Sequence, residues 1–364
     1  MKTQTREIST IRRSILRLLR HQLLSGSFVL YLSVLLFLVL LPFVPTLGRL
    51  ANLRDICSNM WPLFVLVLGQ MFVLILGGID LSQTSIMAIT SVIGALMMTS
   101  SLDPDKFQNN PLWGIAISEN GGPLAGSALA VPAGVLAMLL AGSLIGLLNG
   151  IAVARFKMPP FMVTLVAMIF FSGLAIYLTG SENVRHLPDS FIAIGKGAVE
   201  GISSPFLIAA SLGVLAHIIL AYTLLGRWFY AVGRNIKASI VSGVPTTKVI
   251  ILGYVFSGFC AAVASILYSA RLEHGRPTLG HDLLLDVIGA AVIGGISLFG
   301  GKGKALWALF GVLFFTLLAN ALRMFDRLFF YHIEIIKGGV ILLAAVLDVT
   351  RTRIMTRQGG EQLR

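Results

Sequence analysis

Charge is scarce in this chain. Only 12% of its 364 residues are Asp, Glu, Lys or Arg, about half the roughly 25% of an ordinary soluble domain. Cysteine is scarcer still, with two in the whole sequence, which excludes a disulfide scaffold. Cys57 and Cys260 lie in or beside apolar runs and read as packing residues. HExxH, GxSxG and a Cys/His ligand cluster are all missing, so no catalytic residue and no metal site is expected. A phosphate-binding loop is missing too. The run Gly300–Lys304 looks suggestive, but Ala305 stands where Ser or Thr should follow, and neither GK pair has a glycine five residues before it.

Apolar residues are what the chain has in excess. They make up 56% of it, and the mean hydropathy is +0.88. A soluble globule cannot hide that much apolar surface, and a disordered chain would not carry it. The expectation is an all-α, polytopic membrane helix bundle. Runs of alternating polarity about ten residues long, which a barrel would need, are absent.

A crossing helix needs about 20 mainly apolar residues. Ten candidates run near 27–47, 58–77, 81–100, 124–153, 160–180, 205–225, 248–270, 283–299, 304–322 and 331–349. The fourth is long and the eighth is short and glycine-rich. Domain organisation follows: a basic N-terminus at 1–26, a transmembrane domain at 27–349 and a tail at 350–364. Residues 6–20 read as an amphipathic helix on the anionic leaflet, or as a plain positive anchor. The first apolar run has span length and no small-residue cleavage site, so a cleaved signal is not expected.

The formal net charge is +12, from 28 basic and 16 acidic residues. In a soluble protein such a balance would raise nucleic acid as a partner. Here the basic residues collect in every second loop. Arg155 and Lys157 occupy one, Arg227, Arg234, Lys237 and Lys248 another, Lys302 and Lys304 a third, and Arg351, Arg353 and Arg357 the tail. The intervening loops are mixed or acidic: Asp103, Asp105 and Glu119 with Lys106, then Glu182, Asp189 and Glu200 with Arg185 and Lys196. By the positive-inside rule both termini are cytoplasmic. The expected partner is then the lipid bilayer, and nucleic acid is not.

Several motifs stand out. Gly142, Gly146 and Gly150 form a doubled GxxxG, which lets helix backbones approach closely. Gly77-Gly78-Ile79-Asp80-Leu81-Ser82 interrupts an apolar stretch. There Asp80 reads either as the cap of a helix starting at Leu81 or as a functional intramembrane acid. Five glycines fall within residues 294–303, among them Gly294 and Gly295, and mark a tight turn. Glu334 and Lys337 are three apart on one helix face and should pair. A proton relay through Asp80, Asp286 and Glu334 is the rival use of these acids.

The cytoplasmic loop near 226–248 carries the run Gly233 to Pro245, which reads as a short helix from Ile236 to about Ser242. Asn235 caps it, Gly243 stops it near Ser242, and Ile236 and Ile240 give it one apolar face. That face packs either on the protein's own spans or in a partner's groove.

These stretches together resemble the ribose-type monosaccharide permeases of bacterial ABC importers, within the branched-chain amino acid and sugar permease superfamily. The resemblance rests on Gly77–Ser82, Met158–Leu165, Gly226–Val244, Pro277–Gly301 and Ile336–Asp348, in the family's order. It implies a bacterial inner-membrane subunit with ten helices and no cofactor of its own. Partner ABC ATP-binding subunits would use ATP, and a periplasmic solute-binding protein would deliver the solute. A second permease would complete a homodimer or heterodimer. It also implies that Gly233, Asn235, Ala238 and Gly243 belong to the segment that couples to the ATPase. Candidate wall groups for the solute path are Asp80, Ser82, Asn149, Thr164 and Asn320. Gln83, Thr84 and Ser85 depart from the family's pattern, as does Leu284, where a Glu is usual; Asp286 is kept. The expected function is import of a monosaccharide or a similar small neutral solute. Alternatives are an importer of a polyol, nucleoside or furanone-type signal, or a proton-coupled secondary transporter.

Overall fold

The computed structural model describes residues 28–325 and 328–361. The amphipathic segment expected at 6–20 lies outside them. Helices α1 (Phe28–Leu40), α2 (Leu50–Ile75), α3 (Gln83–Met98), α4 (Pro104–Phe107) and α5 (Ala130–Ala154) lead the chain. Then come α6 (Pro160–Tyr177), α7 (Asp189–Lys196), a hairpin of β1 (Ala198–Val199) and β2 (Ile202–Ser203), and α8 (Ser204–Tyr222). The rest is α9 (Leu224–Arg234), α10 (Ile236–Val241), α11 (Thr246–Leu272), α12 (Leu284–Ile293), α13 (Ala305–Arg323) and α14 (Phe330–Glu361).

Six of these are long and apolar enough to cross a membrane: α2, α5, α6, α8, α11 and α13. Helices α1 and α3 are apolar but shorter. The first expected span ends early because Pro42, which has no N–H to donate, follows α1, and Pro45 opens a separate 3-10 turn. The eighth differs most. Expected at 283–299, it is the ten-residue α12, about 15 Å long at 1.5 Å per residue. That is half the roughly 30 Å of hydrocarbon. Gly295 at φ +92° turns the chain out of the helix immediately after Gly294.

Helix α11 is central and packs against α5, α2 and α3, and α3 packs in turn against α5. The glycine stripe explains how closely α5 sits. A Cβ at Gly146 would lie 2.3 Å from the Tyr254 carbonyl oxygen, one at Gly142 2.6 Å from that of Gly258, and one at Gly258 2.1 Å from that of Gly142. The backbones are in contact, and only glycine fits. The opposite face of α5 carries Leu136, Leu140, Leu144 and Leu148, all exposed. One helix thus holds a glycine stripe toward protein and a leucine stripe on the outer surface of the bundle.

Loops collect at two ends of the bundle. At one, Gly301 N–H donates to the Ile75 carbonyl at 2.8 Å, and Tyr230 Oη donates to the Gly303 carbonyl at 2.6 Å. At the other, Ser100 N–H donates to the His186 carbonyl at 3.0 Å, and Val184 and Gly275 exchange backbone bonds at 2.9 and 2.8 Å. The first end gathers the basic loops, and the second the mixed ones, where Lys106 and Lys196 pair with Glu182 and Glu273.

Gly146→Ala should lower stability by about 1–3 kcal/mol, the usual cost of overpacking. Gly173→Ala, where a Cβ meets nothing within 4 Å, should be neutral or stabilising by up to about 1 kcal/mol. Unfolding midpoints of the two variants in detergent check the difference.

Candidate functional site

Helix α2 ends at Ile75, and the chain runs without helix through Gly77–Leu81 before α3 begins at Gln83. Gly77 makes the turn at φ +80°. The break does not face open space. A Cβ on Gly78 would lie 2.8 Å from the Tyr254 hydroxyl, and Thr164 Oγ1 donates to the Ile79 carbonyl at 3.2 Å.

Asp80 is the centre of a buried network. Its Oδ1 accepts from Ser82 N–H at 2.9 Å and from Ser82 Oγ at 2.5 Å. Its Oδ2 accepts from Ser257 Oγ at 2.6 Å. Gln83 Nε2 donates to Ser257 Oγ at 2.9 Å and to the Leu66 carbonyl at 3.2 Å. Asn149 Nδ2 donates to Ser82 Oγ at 2.8 Å. The Gln70 amide donates to the Asp80 carbonyl at 3.1 Å and to Gln83 Oε1 at 3.2 Å, and accepts from Asp80 N–H at 3.2 Å. All six residues are buried. The carboxylate is held by three neutral donors and no cation, and the network ties α2, α3, α5 and α11 together.

Four of the five candidate path residues therefore lie at one place: Asp80, Ser82, Asn149 and Thr164. Asn320 does not join them. Its Nδ2 donates to Asn52 Oδ1 at 3.0 Å, near the start of α2, far along that helix from the break. Asp80 also does not cap a helix starting at Leu81. The helix starts at Gln83, and the carboxylate reaches only the Ser82 amide, as in an Asx turn. The remaining members, Gln70, Gln83, Ser257 and the partnerless Tyr254 hydroxyl, do not stand out in the sequence as members of a site. Isolated polar side chains in apolar spans are the signal they leave there.

The other intramembrane acids form a separate cluster. Lys337 Nζ lies 2.9 Å from Glu334 Oε1 and 2.5 Å from Asp286 Oδ1. Lys337 and Asp286 are both buried. The expected pair is thus a triad joining α12 to α14. Asp80 bonds to hydroxyls while Asp286 and Glu334 share a lysine, so no hydrogen bond links these acids into a relay.

At the basic end, α9 closes on Gly233. A Cβ there would lie 1.7 Å from the Ile75 carbonyl oxygen. Gly300 and Gly301 take φ +88° and +71°, and a Cβ on Gly300 would lie 2.7 Å from the Gly233 carbonyl oxygen and 3.1 Å from Gly77 Cα. Gly294, at the turn's start, is pressed against the Trp307 carbonyl, 2.4 Å from where its Cβ would be. Three chain segments meet backbone to backbone. Beyond the junction, Asn235 Oδ1 accepts from Ala238 N–H at 3.0 Å, α10 runs to Val241, and Gly243 follows at φ +77°. Ser239 faces inward. Ile236, Ile240 and Val241 stay 45%, 57% and 89% exposed. Among the described residues, no span covers the apolar face of α10.

The family described as "Branched-chain amino acid transport system / permease component" matches residues 52–345. The chain is 34% identical over 288 residues to a ribose import permease of Haemophilus influenzae, covering 78% of this chain and 80% of that protein. It is 33% identical over 325 residues to the ribose import permease of Bacillus subtilis, covering 88% and 90%. It is 30% identical over 330 residues to an L-arabinose ABC transporter permease of Azospirillum brasilense, covering 91% and 89%. No solved structure matches the chain.

Ser257→Ala should cost about 1–3 kcal/mol, because it strands Asp80 Oδ2 in a buried site and removes one of the two acceptors of Gln83 Nε2. Ser257→Thr, which keeps the hydroxyl, should recover most of the loss in an unfolding measurement. Gly233→Ala should separate α9 from Ile75, and protease accessibility of the 226–248 segment should rise in that variant.

Proposed function

The chain belongs to the branched-chain amino acid transport system / permease component family, and from that premise we propose how it works as the membrane permease of an ABC importer. It is a multi-pass inner-membrane transport subunit and not an enzyme. Hydrolysis of ATP falls to separate ATP-binding subunits, and a solute-binding protein delivers cargo to the opposite face. The relatives import ribose and L-arabinose, and a monosaccharide is the cargo assigned here.

We assign coupling to α10, and its uncovered apolar face is the observation that carries the assignment. A short capped helix outside the bilayer with Ile236, Ile240 and Val241 exposed needs a socket. The ATP-binding subunit supplies one. Movement of that socket passes through Gly233, whose contact with Ile75 leaves no slack, into the α2–α3 break and the Asp80 network. In the present conformation each polar member of that network except Tyr254 bonds to protein. Solute contact there requires the network to open during the cycle.

Ten crossings with both termini cytoplasmic fit the loop charges. Helices α1, α3 and α14 and the 273–303 segment containing α12 supply the four beyond the six long spans. A second permease, identical or related, would complete the conduit.

Proteoliposomes should take up ribose only when the ATP-binding subunits, ATP and the loaded binding protein are all present. Uptake by this chain alone under a pH gradient would establish the secondary-transporter reading instead. Deleting residues 233–243 should abolish uptake and ATPase association while leaving membrane insertion intact.

A further inference from the structure

The segment between α11 and α12 descends into the bundle as non-helical turns over residues 273–280, followed by a single 3-10 turn at His281–Leu283 that leads into α12. Gly275 pairs with Val184, and Arg276 N–H donates to Ser91 Oγ at 3.0 Å. Five residues after Gly275, a Cβ on Gly280 would lie 3.4 Å from the Thr84 carbonyl oxygen and 3.0 Å from Met87 Sδ. Between those two points the chain has moved along α3 from Ser91 to Thr84, about 10 Å at 1.5 Å per residue. Helix α12 continues the descent. Its Asp286 meets Lys337, whose Nζ lies 5.9 Å over the ring of Phe315, near the middle of α13. His281 and Asp282 therefore sit about one helical turn from the level of the middle of α13, a helix long and apolar enough to cross a membrane.

Burial alternates along this descent. Gly275, Pro277 and Leu279 are buried against the bundle, while Arg276, Thr278, His281 and Asp282 are exposed. The side chains of His281 and Asp282 are 83% and 73% exposed. Non-helical backbone at membrane depth survives only where protein covers it or where it lines a water-filled cavity. Exposed ionisable side chains at that depth do not face hydrocarbon.

We propose that Arg276, Thr278, His281 and Asp282 line the aqueous path of the transported solute and contact it. This rests on the permease reading. The stripe offers a guanidinium whose Nε also donates to Thr278 Oγ1 at 2.9 Å, then a hydroxyl, an imidazole and a carboxylate. Sugar hydroxyls both donate and accept, so a monosaccharide can exchange its hydration shell along this row. The buried Asp80 network, closed in this conformation, is not the first contact.

The test uses the full chain assembled with its importer partners, in a Cys57→Ser background. Cys260 is buried and stays. Thr278→Cys and His281→Cys are treated with a charged, membrane-impermeant methanethiosulfonate reagent. Ile115→Cys on the exposed outer loop serves as the water-exposed reference, and Leu140→Cys on the lipid face of α5 as the apolar one. Thr278→Cys and His281→Cys should react at a rate comparable to Ile115→Cys, and ribose should slow the reaction. Asp282→Asn should lower the rate of ribose uptake about tenfold with the binding protein saturated, the loss of one charged hydrogen bond along the path, with ATPase association unchanged. If both cysteines are as inert as Leu140→Cys while Ile115→Cys reacts, the proposal is wrong. Disulfide formation between two Thr278→Cys chains without labelling also overturns it, because the stripe would then be a protein interface. Labelling is read on this chain whatever drives transport, so failure of the importer reading would show separately, as uptake without the ATP-binding subunits.

Discussion

A backbone amide at membrane depth has no water to fall back on, and this chain interrupts its helices there at more than one point. Each interruption is viable only because something else supplies the missing hydrogen bonds. At the α2–α3 break the supply is a side-chain network. The side chains of Asp80, Gln70 and Thr164 bond to the backbone of the break and Gln83 to the Leu66 carbonyl of α2, while Asn149 and Ser257 fasten that cluster to α5 and α11 through Ser82 and Asp80. Half-satisfied, such a network would cost more than an apolar core; fully satisfied, it specifies one arrangement of four helices. Its Asp80 lies five residues beyond Ile75, the residue that Gly233 presses on.

Glycine provides the second constraint, through backbone contact. Between α5 and α11 it sets the distance of two whole helices. At Gly77, Gly233 and Gly300 it lets three loop segments touch. Side chains interposed at the junction would act as a compliant spacer between α9 and Ile75. Direct contact makes the joint stiff, and stiffness is what a lever needs if partner subunits are to move a membrane domain that has no energy source of its own.

What the sequence makes legible is what is local. The Asn235 cap, the Gly243 stop and the two isoleucines lie within nine residues, so α10 and its apolar face follow from that short stretch alone. The GxxxG stripe names the close-packed face of α5 without naming α11 as its partner. The Asp80 network is half legible. A serine 177 positions away completes the carboxylate's shell, and no spacing rule connects the two. Asn320 looks equivalent to Asn149 because both are amides in apolar spans, yet it pairs with Asn52 at another level of the bundle. The eighth span comes out too long from hydropathy, which runs on through Gly294, whereas the backbone turns at Gly295.

Charge at membrane depth is handled in two different ways here, and the contrast bears on the solute. The Asp286–Lys337–Glu334 triad is internal. The lysine is buried between two acids, so its charge is spent on fixing α12 against α14. Asp286 also lies in the first turn of α12, where the helix dipole favours an anion. Arg276 and Asp282, by contrast, stay open to water. A neutral sugar meeting them exchanges hydrogen bonds with water for hydrogen bonds with protein, each worth about 0.5–1.5 kcal/mol net. Three or four such contacts sum to roughly millimolar affinity. That is enough to replace a hydration shell on the way through and too little to hold the cargo, so capture must be done by a partner at one face and the work by a partner at the other.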